Sequence, residues 1–328
     1  MFAAGSAVWS AGLTRPRALR ASILSPTVVR LGYVGYACEA ATFLAPNSPI
    51  FRRRGLEPHL VRFQTDDALI AALGSGKVDA ASVNLPTLLK PLENGRDLRV
   101  VAGLHAGCLR VLQREILGID TFGDFKGKIV GTDRLHSPAM NLLSAILHRQ
   151  GVDPERNLSW KAYAGPDLES ALDAKEVSYV ATADPLGYVL LSDHKAEPYL
   201  NTAGGGFSCG ADIAPGHHCF LVLAGHLVET RRPIAASLTR SFLDATAAIG
   251  RGVGPAAVAE ATGPNAVDIH EALGMLSSYD WSPSTNVVLE ELELTARDFR
   301  RAGLLRHSTD PERLAAQAFV DILAAHAI

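Results

Sequence analysis

The sequence predicts an α/β protein built from two similar units that face each other across a cleft. An internal repeat is the first sign: LGSGKVDAASVNLP at residues 73–86 returns as LDAKEVSYVATADP at residues 172–185, an offset of 99. Around each copy the apolar pattern alternates between strand and helix, the second sign. Size is the third, since 328 residues with 48% hydrophobic content can bury core enough for about two globular units.

In the first unit, VVRLGY (28–33) predicts a strand and residues 39–54 a helix stopped by Gly55. HLVRF (59–63) then predicts the second strand and AASVN (80–84) the third. The second unit repeats this order as KIVGT (128–132), a helix over 138–150 stopped by Gly151, LSWKAY (158–163) and YVATA (179–183). The same offset of 99 carries Leu31-Gly32 onto Val130-Gly131, and GLEP (55–58) has a counterpart in GVDP (151–154). Strands alternating with helices imply parallel sheets whose ligand crevice lies at the carboxyl ends of the strands. Two such sheets face to face make a cleft. In the C-terminal third, Ile234, Leu238, Phe242 and Ile249 follow a helical period behind Pro233. Asp310-Pro311 opens a last helix carrying Leu314, Phe319 and Leu323, and these helices are expected to brace the first unit.

Charge and motifs exclude several functions. Thirty-one basic against 34 acidic residues give a net charge of -3, with no broad field for nucleic acid or anionic lipid. No apolar run reaches the ~18–20 residues of a membrane-spanning helix. Residues 2–13 do resemble the apolar core of a secretion signal, followed by Arg15, Arg17, Arg20 and the small pair Ala21-Ser22. Residues 1–27 are therefore expected to be the remnant of a longer export signal, with the twin-arginine route as the candidate. Cys38, Cys108, Cys209 and Cys219 show no CxxC spacing, which argues against a zinc ribbon or a thioredoxin-like site. There is no HExxH and no phosphate loop at residues 204–206. No catalytic residue, cofactor or resident metal is expected.

The segments 55–56 (the Gly-Leu turn), 72–84, 124–154 (DFKGKIVGTDRLHSPAMNLLSAILHRQGVDP) and 171–187 (ALDAKEVSYVATADPLG) resemble, in order and spacing, the nitrate/taurine/sulfonate family of ABC-importer substrate-binding proteins. That family shares its fold with the thiamine-pyrimidine synthases. The resemblance covers residues 28 to about 250 and implies a periplasmic-binding-protein-like fold of type II, with a hinge and an interlobe ligand cleft. Residues 28–105 plus 220–328 would form lobe I, and 106–219 lobe II. It also implies a periplasmic protein that captures a small anionic or zwitterionic ligand by hinge closure and passes it to a membrane permease. Two alternatives share the fold: a synthase-like enzyme, whose cysteine-rich iron motif is absent here, and a metal or metal-chelate binder.

Candidate ligand contacts follow from strand ends, helix starts and hinges. Ser137 before Pro138 opens a helix whose free amides and dipole could hold an anion, or it simply caps that helix. Tyr36, Cys38 and Glu39 follow the first strand, although Glu39 could equally sit in a helix's first turn facing solvent. Asn84 ends the third strand, and its repeat partner region brings Asp184 from the other unit to bind an ammonium or amide. His105 and His217 belong to the hinge runs GLHAGC (103–108) and GHHC (216–219). Antiparallel crossings would make Cys108 and Cys219 neighbours, as a disulfide or as buried thiols, and a His/Cys metal site is the alternative there.

Overall fold

The computed structural model describes residues 25–114, 121–193, 196–202, 206–207, 216–261 and 267–324. The signal-like segment up to residue 24, together with Gly204, Gly205 and Cys209, lies outside them.

The chain first forms β1 (Thr27–Tyr33), α1 (Ala40–Leu44), α2 (Pro49–Arg52), β2 (Leu56–Arg62), α3 (Asp66–Gly74), β3 (Ala80–Asn84), α4 (Leu85–Glu93) and β4 (Leu98–His105). It crosses into β5 (Leu109–Gln113), β6 (Ile129–Thr132), α5 (Pro138–Arg149), β7 (Ser159–Ala162), α6 (Gly165–Asp173), β8 (Tyr179–Ala183), α7 (Leu186–Ser192), β9 (Glu197–Asn201) and β10 (Gly206–Phe207). It returns through β11 (Cys219–Ala224) and ends in α8 (Gly225–Thr230), α9 (Arg232–Ile249), α10 (Pro255–Ala261), α11 (Ile269–Ser277), α12 (Val288–Arg301) and α13 (Pro311–Ala318).

The first sheet has the order β2-β1-β3-β11-β4, and the second, from its far edge, β7-β6-β8-β5-β9-β10. Position by position the two agree. In each, the leading strand is flanked by two parallel partners, and an antiparallel strand beside a crossing follows. Each sheet with its helices makes one lobe. The central strands β3 and β8 are buried at every residue, which is why AASVN and YVATA read as unbroken small and apolar runs.

The repeat extends to side-chain packing. A Cβ at Gly32 would lie 2.3 Å from Leu69 Cδ1 and 3.2 Å from Val78 Cγ2, and one at Gly131 would lie 2.7 Å from Leu168 Cδ1 and 3.3 Å from Val177 Cγ1. Each residue of the second set follows its counterpart by the same 99 positions. Both leading strands lack a side chain where α3 or α6 packs closest. Gly55 and Gly151 end their segments at φ +69° and +77°, the left-handed conformation that glycine adopts without strain.

Two expectations need correction. The last helix, α13, ends at Ala318, so Phe319, extended and bridged to Val100 of β4, and Leu323 lie beyond it. Residues 39–54 do not form a continuous helix but short pieces, with 3-10 turns at Ala37–Glu39 and Ala45–Asn47 around α1 and α2 beyond. Pro46 and Pro49 cannot supply the amide hydrogen that a helix interior needs, so each restarts the chain.

The C-terminal helices cover the first lobe: α9 packs on α1, α2 and β4, and Phe242 meets Phe51 edge-on at 5.5 Å. Helix α12 also contacts α5 of the second lobe, so it braces both. Between α11 and α12 the chain runs beside the first crossing, with Ser284 bridged to Gly103 and Asp280 to Ala106. Among the described residues no helix is long and apolar enough to cross a membrane.

Candidate functional site

The loops at the carboxyl ends of β1, β3, β6 and β8 meet between the lobes. After β1, Gly35 turns at φ 128°, and the buried Glu39 carboxylate accepts hydrogen bonds from the amides of Val34, Gly35 and Tyr36 at 2.7–2.8 Å. The carboxylate thus folds its own loop rather than facing solvent or the cleft. The loop then presents Ala37, whose amide donates to the Asp184 carbonyl of the other lobe at 3.4 Å.

Three cysteines converge beside that contact. The sulfurs of Cys38, Cys108 and Cys219 lie within 4.8 Å of one another, with Cys108 and Cys219 3.5 Å apart. All three are free thiols and buried. Asn84 stands over them: Cys219 donates to its Oδ1 at 3.1 Å and Cys108 at 3.5 Å, while its Nδ2 points at Cys38 Sγ from 3.7 Å. The hydrogen bond with Cys108 raises the Cys38 thiol, and burial pushes Cys219 up. Burial would raise Cys108 as well, but hydrogen bonds from its two neighbours bring it down to about 6. His105 flanks the cluster, its Nε2–H donating to the Cys38 carbonyl at 3.0 Å and its ring packed against Trp281 and Tyr279. Burial holds that ring below the usual histidine range.

Below the cysteines, Arg110 on β5 grips Asp184 through two bonds, at 2.7 and 2.8 Å, and Tyr279 donates to the same carboxylate at 2.8 Å. The Arg110 and Asp184 side chains are 7% and 0% exposed, so the carboxylate is saturated by protein partners and does not present a free charge to the cleft. The pair joins β5, β8 and the segment after α11.

A polar clasp closes the rim. Arg134, two residues past β6, donates to Tyr36 Oη at 2.6 Å and is paired with Asp66 in the first turn of α3, while Tyr36 donates to Asp66 at 3.2 Å. A second tie runs from Asn141 Nδ2 to the Pro86 carbonyl at 3.2 Å. Ser137 accepts from the Met140 amide at 3.2 Å and shares a 2.8 Å hydrogen bond with Thr132, so its hydroxyl caps α5. His217 is held on both ring nitrogens, 3.0 Å from Glu291 and 2.8 Å from the Ser282 carbonyl. Burial opposes its charge, but the Glu291 carboxylate raises it above the usual range. Beside it, a cavity of about 310 Å³ opens between α4, α5 and α12, lined among others by Pro86, Ile146, Arg149, His218 and Glu291.

Residues 40–158 match the family model described as NMT1/THI5 like. No curated protein matches the sequence. Among solved structures, the chain is similar to the periplasmic aliphatic sulphonate binding protein SsuA from Escherichia coli, with TM-score 0.71 and 18% identity over 89% of this chain and 92% of that one. It is also similar to the alkanesulfonate-binding protein SsuA from Xanthomonas axonopodis pv. citri bound to MOPS, with TM-score 0.69 and 20% identity over 90% and 99%. The periplasmic nitrate-binding protein NrtA from Synechocystis gives TM-score 0.68 and 11% identity over 91% and 87%. The chain has the periplasmic-binding-protein fold.

In this periplasmic-binding-protein fold, the sequence-predicted residues divide into groups. Cys38, Asn84 and His105 come together, joined by Cys108 and Cys219. Tyr36 and Asp184 lie at the lobe contact, each bound to an arginine the sequence reading did not single out. Glu39 and Ser137 bind backbone of their own loops, and His217 sits toward the cavity by α12. Sequence reasoning missed Arg110, Arg134 and Asp66. For Arg134 a signal existed, because Asp133-Arg134 directly follows a strand's carboxyl end. Arg110 lies inside an apolar strand, where nothing local marks it.

Proposed function

We propose that this protein is the extracytoplasmic substrate-binding component of an ABC importer. It captures a small anionic or zwitterionic ligand between two lobes, residues 28–105 with 220–328 and residues 106–219, and delivers it to a membrane permease. The observation that carries this reading is the pairing of two like-ordered sheets whose carboxyl-end loops meet across crossing strands, at Ala37–Asp184 and Arg134–Tyr36. Such contacts exist only when the lobes are together, so a ligand that touches both favours the closed form by its differential affinity. The sulfonate- and nitrate-binding names of the similar structures support an anionic ligand. The same names support a periplasmic location.

The test is a thermal-shift screen of alkanesulfonates, taurine, nitrate and pyrimidines. A ligand at one hundred times its Kd should stabilise the protein by about 2.7 kcal/mol. A flat response to every compound would sink the reading. The NMT1/THI5-like match over residues 40–158 favours a second one, a pyrimidine-forming enzyme. Chemical conversion of a bound compound, rather than its recovery intact, would select it.

A further inference from the structure

We propose that Cys38, Cys108 and Cys219 form a three-sulfur binding site for a thiophilic ion. The three sulfurs come from separate parts of the chain: the loop after β1 and the two places where the chain crosses between lobes. Their convergence is therefore a product of the tertiary fold. An ion held at about 2.3 Å from each of three sulfurs in a plane needs sulfurs about 4.0 Å apart. The observed triangle, with one edge of 3.5 Å and none beyond 4.8 Å, reaches that by small side-chain rotations.

The surroundings fit this chemistry. Among the described residues no histidine or carboxylate joins the triangle. The Nε2 of His105 is committed to the Cys38 carbonyl, and Asp184 to Arg110 and Tyr279. A structural zinc site closes with four ligands, whereas soft monovalent copper accepts thiolates at lower coordination number. Trivalent arsenic is the other ion that three sulfurs satisfy. In that case three thiols and As(OH)₃ exchange to three As–S bonds and three waters, with no change of oxidation state or net charge. Copper(I) instead releases one proton for every thiol that enters as thiolate. Asn84 serves both states: its carbonyl oxygen now accepts from Cys108 and Cys219, and a rotated amide would donate its two N–H groups to their thiolates. Because Cys38 moves with the first lobe's loop and the others flank the crossings, separation of the lobes is the route of entry.

This inference stands apart from the importer reading, since a chain that binds sulfonates and takes up neither probe fails here alone. The experiment uses the full chain, reduced and kept free of oxygen, titrated with copper(I) against a chromophoric chelator and separately with arsenite. The expected result is one equivalent of at least one probe. Each of Cys38→Ser, Cys108→Ser and Cys219→Ser should then weaken uptake at least about a hundredfold. Alkylation mapped by mass spectrometry on the unaltered protein gives a readout that needs no variant, with bound ion protecting all three cysteines together. Uptake of neither probe, uptake unchanged in the serine variants, or alkylation indifferent to the ion would overturn the proposal. A protein that binds no ion and forms a Cys108–Cys219 disulfide, with two protons and two electrons passing to oxygen once air is admitted, would identify a redox pair instead.

Discussion

The Asp184 carboxylate shows how little a residue's chemistry says until its partners are known. Its position after β8 invites a ligand cation, yet Arg110 and Tyr279 occupy both oxygens in a site sealed from solvent. Removing one partner of a buried ion pair strands the other charge without water. Asp184→Ala is therefore expected to cost about 3–5 kcal/mol of unfolding free energy in urea titrations. The paired replacement Arg110→Met with Asp184→Leu should cost much less. Equal losses in the two variants would mean that the pair matters for packing and not for its charge.

Among elements, α4 ties the first sheet to the C-terminal segment through one carboxylate. The Glu93 side chain is 1% exposed and accepts from Lys90 at 2.6 Å, the Arg306 amide at 2.7 Å and the Thr309 hydroxyl. Burial raises its pKa, but these donors outweigh burial and hold it below the usual carboxylate value. A depressed folded-state pKa adds stability that is present above the unfolded value, near 4.3, and lost as pH falls through the folded one. The melting temperature of the parent protein should thus exceed that of Glu93→Gln at pH 7, and the gap should narrow on acidification below about pH 4. A gap that stays constant from pH 7 to pH 3 would contradict this. The leading strands pose a different test. Gly32→Ala places a methyl against Leu69 of α3, which is 1% exposed. Overpacking there should cost about 1–3 kcal/mol and be relieved in part by Leu69→Ala.

At the scale of the whole molecule, the clasp of Arg134, Tyr36 and Asp66 sets how easily the lobes part. Arg134 is 36% exposed, so water screens the pair and Arg134→Ala should change unfolding stability by no more than about 1 kcal/mol. Its effect should fall on shape. Solution scattering is expected to show a larger radius of gyration for the variant, and ligand dissociation should quicken. An unchanged scattering profile would remove the clasp from any part in closure.

The sequence by itself determined the doubled α/β architecture, because a repeat at a fixed offset registers glycine with glycine and core leucine with core leucine. It also determined the cap at Ser137 and the stops at Gly55 and Gly151, which are local matters of backbone hydrogen bonds and left-handed φ. Cys38, Asn84 and His105 were legible as site candidates because each lies at a strand end or a crossing, and strand ends meet in this kind of sheet. Only the tertiary structure decided which partners they have. Asn84 reaches Cys219 over 135 residues and Arg134 reaches Asp66 over 68. Pairing at such separations depends on how two sheets are oriented, and local hydrophobic periodicity carries no record of that orientation. For the same reason Arg110 stayed hidden, since a charge in a buried strand is explained by a carboxylate 74 residues away.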